Sequence, residues 1–196
     1  MDIKKFYLSP LLCLAIALPL VAGGVNADRS KARHCYALLS PVSENTVGSS
    51  QILETACLDT FSQAIEAATH GRINLDPSIS PEDVTDAMLN GREGANTPVT
   101  QVVIGIDWDY TYFGGSSYTW VANDYGCSSS IQYGVTTMPS GWDNRVSSAR
   151  GFSNCNYYYH YQNTAYGGTS IACHTECASM GTLDNDTSSE RWTVTQ

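Results

Sequence analysis

The chain has 196 residues, with 10 Lys and Arg against 19 Asp and Glu, for a net charge of −9. No cluster of basic residues offsets that balance locally, so the chain repels phosphate backbones and nucleic acid is excluded as a partner. Acidity of this kind suits an exported protein or one that meets cations.

Lys4 and Lys5 precede an apolar run, LLCLAIALPLVA, that is too short to span a bilayer comfortably. Val25-Asn26-Ala27 then offers the small residues a signal peptidase prefers, so residues 1–27 are expected to be a removed secretory signal. Cys13 would leave with it and, following Pro-Leu-Leu, is no lipid-anchor site. No later stretch could cross a membrane, so a soluble, secreted protein with no membrane partner is expected. Six cysteines then remain: Cys35, Cys57, Cys127, Cys155, Cys173 and Cys177. An even count in an oxidising compartment reads as disulfides, with Cys35–Cys57 as one pair and the other four bonding among themselves. The stretch CHTEC, Cys173 to Cys177 with His174 and Glu176, also offers zinc-ligand types. No second Cys/His pair at finger spacing accompanies it, which favours disulfides.

Residues 28–98 read as a small α+β region of unknown role. HCYALLS has the look of a strand. DTFSQAIEAATHG places Phe61, Ile65 and Ala68 on one helical face, with Gly71 as a stop. SPEDVTDAMLNG predicts a second helix, with Ser80 as its cap, Pro81 in the first turn, Asp83 completing a capping box and Gly91 closing it. EGANTP, residues 93–98, reads as a linker.

From residue 99 the composition changes. TQVVIGIDW is β-branched and apolar, and Tyr, Thr, Ser, Gly and Asn dominate the remainder, with Arg145, Arg150 and Arg191 as the basic residues. Short strands between glycine-marked turns predict an all-β sandwich of Greek-key type. The tyrosines of YYYHY, residues 157–161, suit a half-buried pleated surface, with carbohydrate stacking as the other reading.

An internal repeat organises this half. WDYTYFGGSS, residues 108–117, aligns without a gap to YQNTAYGGTS, residues 161–170. In each, an aromatic (Trp108, Tyr161) is followed by six residues and a glycine (Gly115, Gly168). Each unit closes on a hexapeptide, DNRVSS at 143–148 and DNDTSS at 184–189. Glycine supplies positive φ and close approach in a folded hairpin, the upstream aromatic can lie over it, and the final serine can bond back into the fold. The first unit is about twelve residues longer between its glycine and its serine, an excess expected around residues 121–142.

This paired pattern resembles the βγ-crystallin Greek-key family, in which two aromatic-x6-Gly motifs, each with a later serine, make one domain. The resemblance implies a two-motif β-sandwich over residues 99–196, motif 1 at about 99–150 and motif 2 at about 153–196. In that family D/N-D/N-x-x-S/T-S is the calcium signature. It implies calcium ligation by the hydroxyls of Ser147 and Ser188 and by the carbonyls of Arg145 and Asp186, the Arg145 side chain pointing away. Crossed carbonyls from Asp109 and Gln162 would join them, with Asp143, Asn144, Asp184 and Asn185 shaping the loops. Hard calcium takes six to eight such oxygens, and few carboxylates per site imply modest affinity, roughly 10⁻⁵ to 10⁻³ M. The same hexapeptides would serve equally as pure turn architecture.

The expected function is that of an extracellular calcium-binding structural module. The alternative is a secreted inhibitor of an extracellular metalloproteinase, because secreted microbial inhibitors of that class share the resemblance; residues 121–142 would then supply the blocking loop. Crystallin-like killer toxins are a fainter likeness. An enzyme is not expected: H-E-x-x-H, G-x-S-x-G and the P-loop are all missing, and His34, His70, His160 and His174 are scattered.

Overall fold

The computed structural model describes residues 33–43, 48–91 and 101–194. The expected signal, residues 1–27, and the expected linker, 93–98, lie outside the described residues. Within them are eleven strands: β1 (His34–Leu39), β2 (Val42–Ser43), β3 (Ile52–Leu58), β4 (Val102–Trp108), β5 (Ser117–Ala122), β6 (Ile131–Val135), β7 (Ser148–Gly151), β8 (Tyr157–Asn163), β9 (Gly167–His174), β10 (Glu176–Cys177) and β11 (Ser189–Thr193). Two short helices, α1 (Phe61–Ala68) and α2 (Asp86–Asn90), lie between β3 and β4.

The strands form two sheets, ordered β10-β7-β4-β5-β1-β3 and β2-β6-β11-β8-β9. Four consecutive strands, β4 to β7, make the first Greek key, and β8 to β11 make the second. Each key lends its third strand to the other's sheet: β6 pairs with β11, and β10 with β7. This exchange locks the halves into one sandwich. Between the sheets lies one apolar core, containing Ile104, Trp120, Tyr133, Trp142, Tyr158 and Trp192.

Residues 34–91 do not stand apart from this sandwich. β1 runs parallel to β5 along its whole length and antiparallel to β3, while β2 borders β6. β1 is buried on both faces, as expected of a strand that neither ends a sheet nor faces water. Its Cys35, Ala37 and Leu39 enter the core between the sheets. Its Tyr36 and Leu38 enter a second core, beneath the helices, with Phe61, Ile65, Leu89, Ile106, Trp108 and Val121. The region expected to precede the β domain thus supplies two strands of one sheet and the helical layer that covers it.

The helix expected over DTFSQAIEAATHG is α1, with Thr60 accepting from the Gln63 N–H at its start. The second expected helix needs correction. SPEDVTDAMLNG divides into a 3-10 turn at Pro81–Asp83 and the short α2, and the cap is Thr85 rather than Ser80, which makes no side-chain capping bond. The break lies at Val84, which is extended and turned into the core beneath the helices, while Arg150 donates to the carbonyls of Glu82 and Val84 at 3.1 Å each. Burying a valine and satisfying two carbonyls outweighs continuing a marginal helix.

All six expected cysteines are bonded, as Cys35–Cys57, Cys127–Cys155 and Cys173–Cys177. The CHTEC stretch closes on itself as a disulfide, so its sulfurs are spent. Among the described residues no helix is long and apolar enough to cross a membrane.

Candidate functional site

The two repeat units fold alike in detail. Each hairpin carries a turn with two consecutive left-handed residues, Tyr112 and Phe113 in the first and Ala165 and Tyr166 in the second, followed by Gly115 and Gly168 at positive φ. The closing serines do the same work twice. Ser148 Oγ accepts from the Phe113 N–H (2.9 Å) and donates to the Tyr110 carbonyl (2.7 Å). Ser189 Oγ accepts from the Tyr166 N–H (3.0 Å) and donates to the Asn163 carbonyl (2.6 Å). Both serines are fully buried.

The aromatics do not lie over the glycines. A Cβ on Gly115 would collide with the Asp109 carboxylate, and one on Gly168 would sit 2.8 Å from the Asn163 amide. Trp108 instead meets the ring of Phe113 edge-on at 5.2 Å, beneath the helices, and Tyr161 meets Tyr166 at 5.5 Å. Asp109 covers Gly115, because strand alternation turns Trp108 to the opposite face, whereas Gly168 is covered by Asn163 together with Gln162.

The hexapeptides face each other. In both, the first two residues are exposed, the third is half-buried and the last three are buried. Asn144 and Asn185 both have φ of 56°, a conformation that asparagine accepts readily. The loops exchange backbone bonds reciprocally: Asn144 N–H to the Thr187 carbonyl (2.9 Å) and Asn185 N–H to the Val146 carbonyl (3.0 Å). Ser188 Oγ crosses over to donate to Asn144 Oδ1 at 3.3 Å. Each loop also holds its own hairpin. Ser147 N–H donates to the Trp108 carbonyl, and Ser188 N–H to that of Tyr161.

Side-chain pairs then break the symmetry. In the first unit the Arg145 guanidinium grips Asp109 Oδ2 (2.7 and 3.2 Å) and donates to Ser116 Oγ (3.2 Å). It also lies 5.0 Å from the Trp142 ring. The expectation that Arg145 points away is therefore corrected: its fork reaches a carboxylate on its own hairpin, bringing a positive charge to that end of the loop pair. At the equivalent place in the second unit the Gln162 amide donates to Asp186 Oδ2 at 2.8 Å. Arg145 and Asp109 are thus joined in the first unit and Gln162 and Asp186 in the second, while Ser188 and Asn144 bond across the two loops. The leading Asp143 and Asp184 are exposed.

No family model and no curated protein matches this chain. Among solved structures it is similar to a betagamma-crystallin from an Archaea, at 20% sequence identity and a TM-score of 0.34, over 46% of this chain and 96% of that one. An overlap this loose decides nothing by itself; the strand order and the twice-written hairpin and serine do. The fold is crystallin-like.

Most of the length excess of the first unit falls between β5 and β6. Eight residues, 123–130, join these strands, where Thr175 alone joins β9 to β10. That loop is held down by Cys127–Cys155, by Cys127 N–H to the Ser153 carbonyl (3.1 Å), and by Tyr133 OH to the Tyr125 carbonyl (2.5 Å). Tyr125, within this loop, is exposed.

A second constellation lies inside the sandwich, and sequence reasoning missed most of it. Asp107, His160 and Glu190 are fully buried and face one another between the sheets. Burial first, and then the charge of Asp107, push the Glu190 carboxyl well above the usual carboxylate range; burial likewise raises the Tyr158 phenol. The available signal was period-2 alternation. Tyr158 and His160 face inward while Tyr157, Tyr159 and Tyr161 stack along the outer face at 6.5 and 6.2 Å. Asp107 is a charged residue inside an apolar strand, VVIGIDW, which is costly to bury without a partner.

Proposed function

We propose that this protein is a secreted, disulfide-braced module that binds calcium at two unequal sites and acts by binding rather than by turnover. The observation that supports this reading is the reciprocal pairing of the two hexapeptides, which brings their oxygen-bearing loops together. One site would use Asp109, Asn144, the Arg145 carbonyl and Ser188. The other would use Gln162, Asn185, Asp186 and Ser147. Hydroxyls, carbonyls and carboxylates are the donors that a hard divalent cation takes. Arg145 makes the first site the poorer one, since its guanidinium already neutralises Asp109. The second gains the Asp186 carboxylate, and binding there stabilises the fold by mass action.

Calorimetric titration of calcium into the mature protein, with melts in calcium and in chelator, tests this. Two unequal binding events and a raised melting temperature are expected. Ser188→Arg should abolish the weaker event and Ser147→Arg the tighter one. A flat titration with unchanged melting refutes the reading and leaves the loops architectural.

The pinned loop 123–130, with Tyr125 exposed, favours one further reading: a rigid surface loop that occupies the cleft of an extracellular metalloproteinase. A loop held by a disulfide and two hydrogen bonds loses little entropy on docking. Inhibition that survives chelation of calcium but not removal of 123–130 would support it, and indifference of such proteases to the intact protein would end it.

A further inference from the structure

Three metal-ligating side chains converge from three strands and both sheets: Asp107 on β4, His160 on β8 and Glu190 on β11, each at 0% exposure. His160 Nε2 lies 3.3 Å from Asp107 Oδ1 and 3.4 Å from Glu190 Oε1. Its other nitrogen, Nδ1, faces the Sγ of Cys173 at 3.9 Å, and that sulfur is spent in a disulfide. The carboxylates are held from behind. Trp120 Nε1 donates to Asp107 Oδ2 at 2.6 Å, and Tyr158 OH lies 2.8 Å from both Asp107 oxygens and from Glu190 Oε2.

One atom is left over. Glu190 Oε1, fully buried and directed at the imidazole, has no hydrogen-bond partner among the described residues. A proton on His160 Nε2 is directed along one line and reaches Asp107 Oδ1, not both oxygens. Two carboxylates drawn together away from water must be neutralised, by a retained proton or by a cation between them, and a cation also occupies the unmatched Oε1. The spacing says which kind. Zinc bonded to nitrogen and oxygen at about 2.0–2.2 Å in a tetrahedron sets neighbouring donor atoms about 3.3–3.6 Å apart, which is the separation found on both edges that meet at His160. Calcium is disfavoured, because it asks for six or more oxygens and has little use for imidazole.

We propose that Asp107, His160 and Glu190 hold one divalent transition-metal ion, with zinc the best fit, as a centre joining the two sheets, its fourth tetrahedral position left to a non-protein ligand such as water. Trp120 and Tyr158 orient the ligating carboxylates, as outer-shell partners do at metal sites. Because all three ligands are fully buried, the ion enters as the chain folds and is not exchanged by the native protein. This centre is separate from the calcium loops and does not depend on them.

The test uses the full mature chain with its disulfides intact, unfolded in denaturant with chelator and refolded with zinc, with cobalt, or without metal. After desalting, zinc-refolded protein should carry one zinc per chain that resists chelator until the protein unfolds, and should unfold at higher denaturant than the metal-free form. Cobalt-refolded protein should show the visible bands of a tetrahedral site. His160→Gln and Glu190→Gln should lose the metal and the bands, whereas Ser147→Arg with Ser188→Arg should keep both. If either buried variant fails to fold, the stoichiometry and cobalt spectrum of the unaltered chain still decide. Sub-stoichiometric zinc, an unchanged unfolding midpoint, or equal zinc in folded His160→Gln would overturn the proposal and leave the three groups bridged by protons alone.

Discussion

Replacing Ser148 by alanine separates what the final serine of a hexapeptide does from what the one before it does. The Ser148 hydroxyl takes the Phe113 N–H and gives to the Tyr110 carbonyl, and no solvent reaches it. Alanine fits the space but removes both bonds and strands a buried backbone N–H. At about 1 kcal/mol for the lost bond to the Tyr110 carbonyl and about 1–3 kcal/mol for the Phe113 N–H left unmet, the loss should be roughly 2–4 kcal/mol. With a urea slope of about 1–3 kcal/mol/M, the midpoint should fall by about 1–2 M at unchanged slope. The cost should be the same in calcium and in chelator, because the bonds are made by the fold alone. Ser147→Ala should behave oppositely. In chelator it should change little, but with free calcium a hundred-fold above the dissociation constant it should forgo about 2.7 kcal/mol of ligand stabilisation. The measurement is urea unfolding of the disulfide-intact protein under both conditions. A Ser148→Ala loss below about 0.5 kcal/mol, or one present only in calcium, would refute the reasoning.

Three further outcomes rest on the same geometry. Arg145→Gln releases the Asp109 carboxylate, so the weaker calcium site should tighten several-fold by calorimetry, while stability changes by less than about 1 kcal/mol because the pair is partly exposed; unchanged or weakened binding would contradict the assigned asymmetry. His34 is held neutral by burial, which lowers its pKa from 6.5 against a smaller opposing pull from Asp109. The unfolded chain therefore binds the extra proton first, and the stability His34 contributes is full above about pH 6.5 and lost as pH falls below it; His34→Asn should flatten the urea midpoint between pH 7 and 5.5, and an identical slope would count against it. Serine at both positions of Cys35–Cys57, a bridge across 22 residues, should cost about 3 kcal/mol, against about 2 kcal/mol for Cys173–Cys177 across 4, by thermal or urea unfolding; equal costs would show that loop entropy is not what these bonds supply.

Much was legible in the residues alone because it rests on local rules. The duplicated aromatic, glycine and serine placements announce two folded hairpins, since only certain residues accept left-handed turns and only a hydroxyl can bridge a turn's N–H and carbonyl. The sandwich itself and the apolar face of α1 were visible for the same reason. The break at Val84 was not, because it depends on Arg150, 66 residues further along, reaching the Val84 carbonyl. Nor was the direction of Arg145, which is set by a carboxylate 36 residues earlier, on the hairpin of its own unit.

By itself the sequence determined the period-2 strands, the twice-written hairpin, the serines that staple each turn and the even set of cysteines, all properties of neighbours along the chain. The tertiary structure alone decided that each Greek key lends a strand to the other, and that β1 lies parallel beside β5. It also brought the two hexapeptides face to face and Asp107, His160 and Glu190 to one buried point. Those are meetings between residues from 26 to more than 80 positions apart. What selects among them is how much apolar surface each pairing buries and which polar groups it satisfies, and that sum exists only in the folded whole.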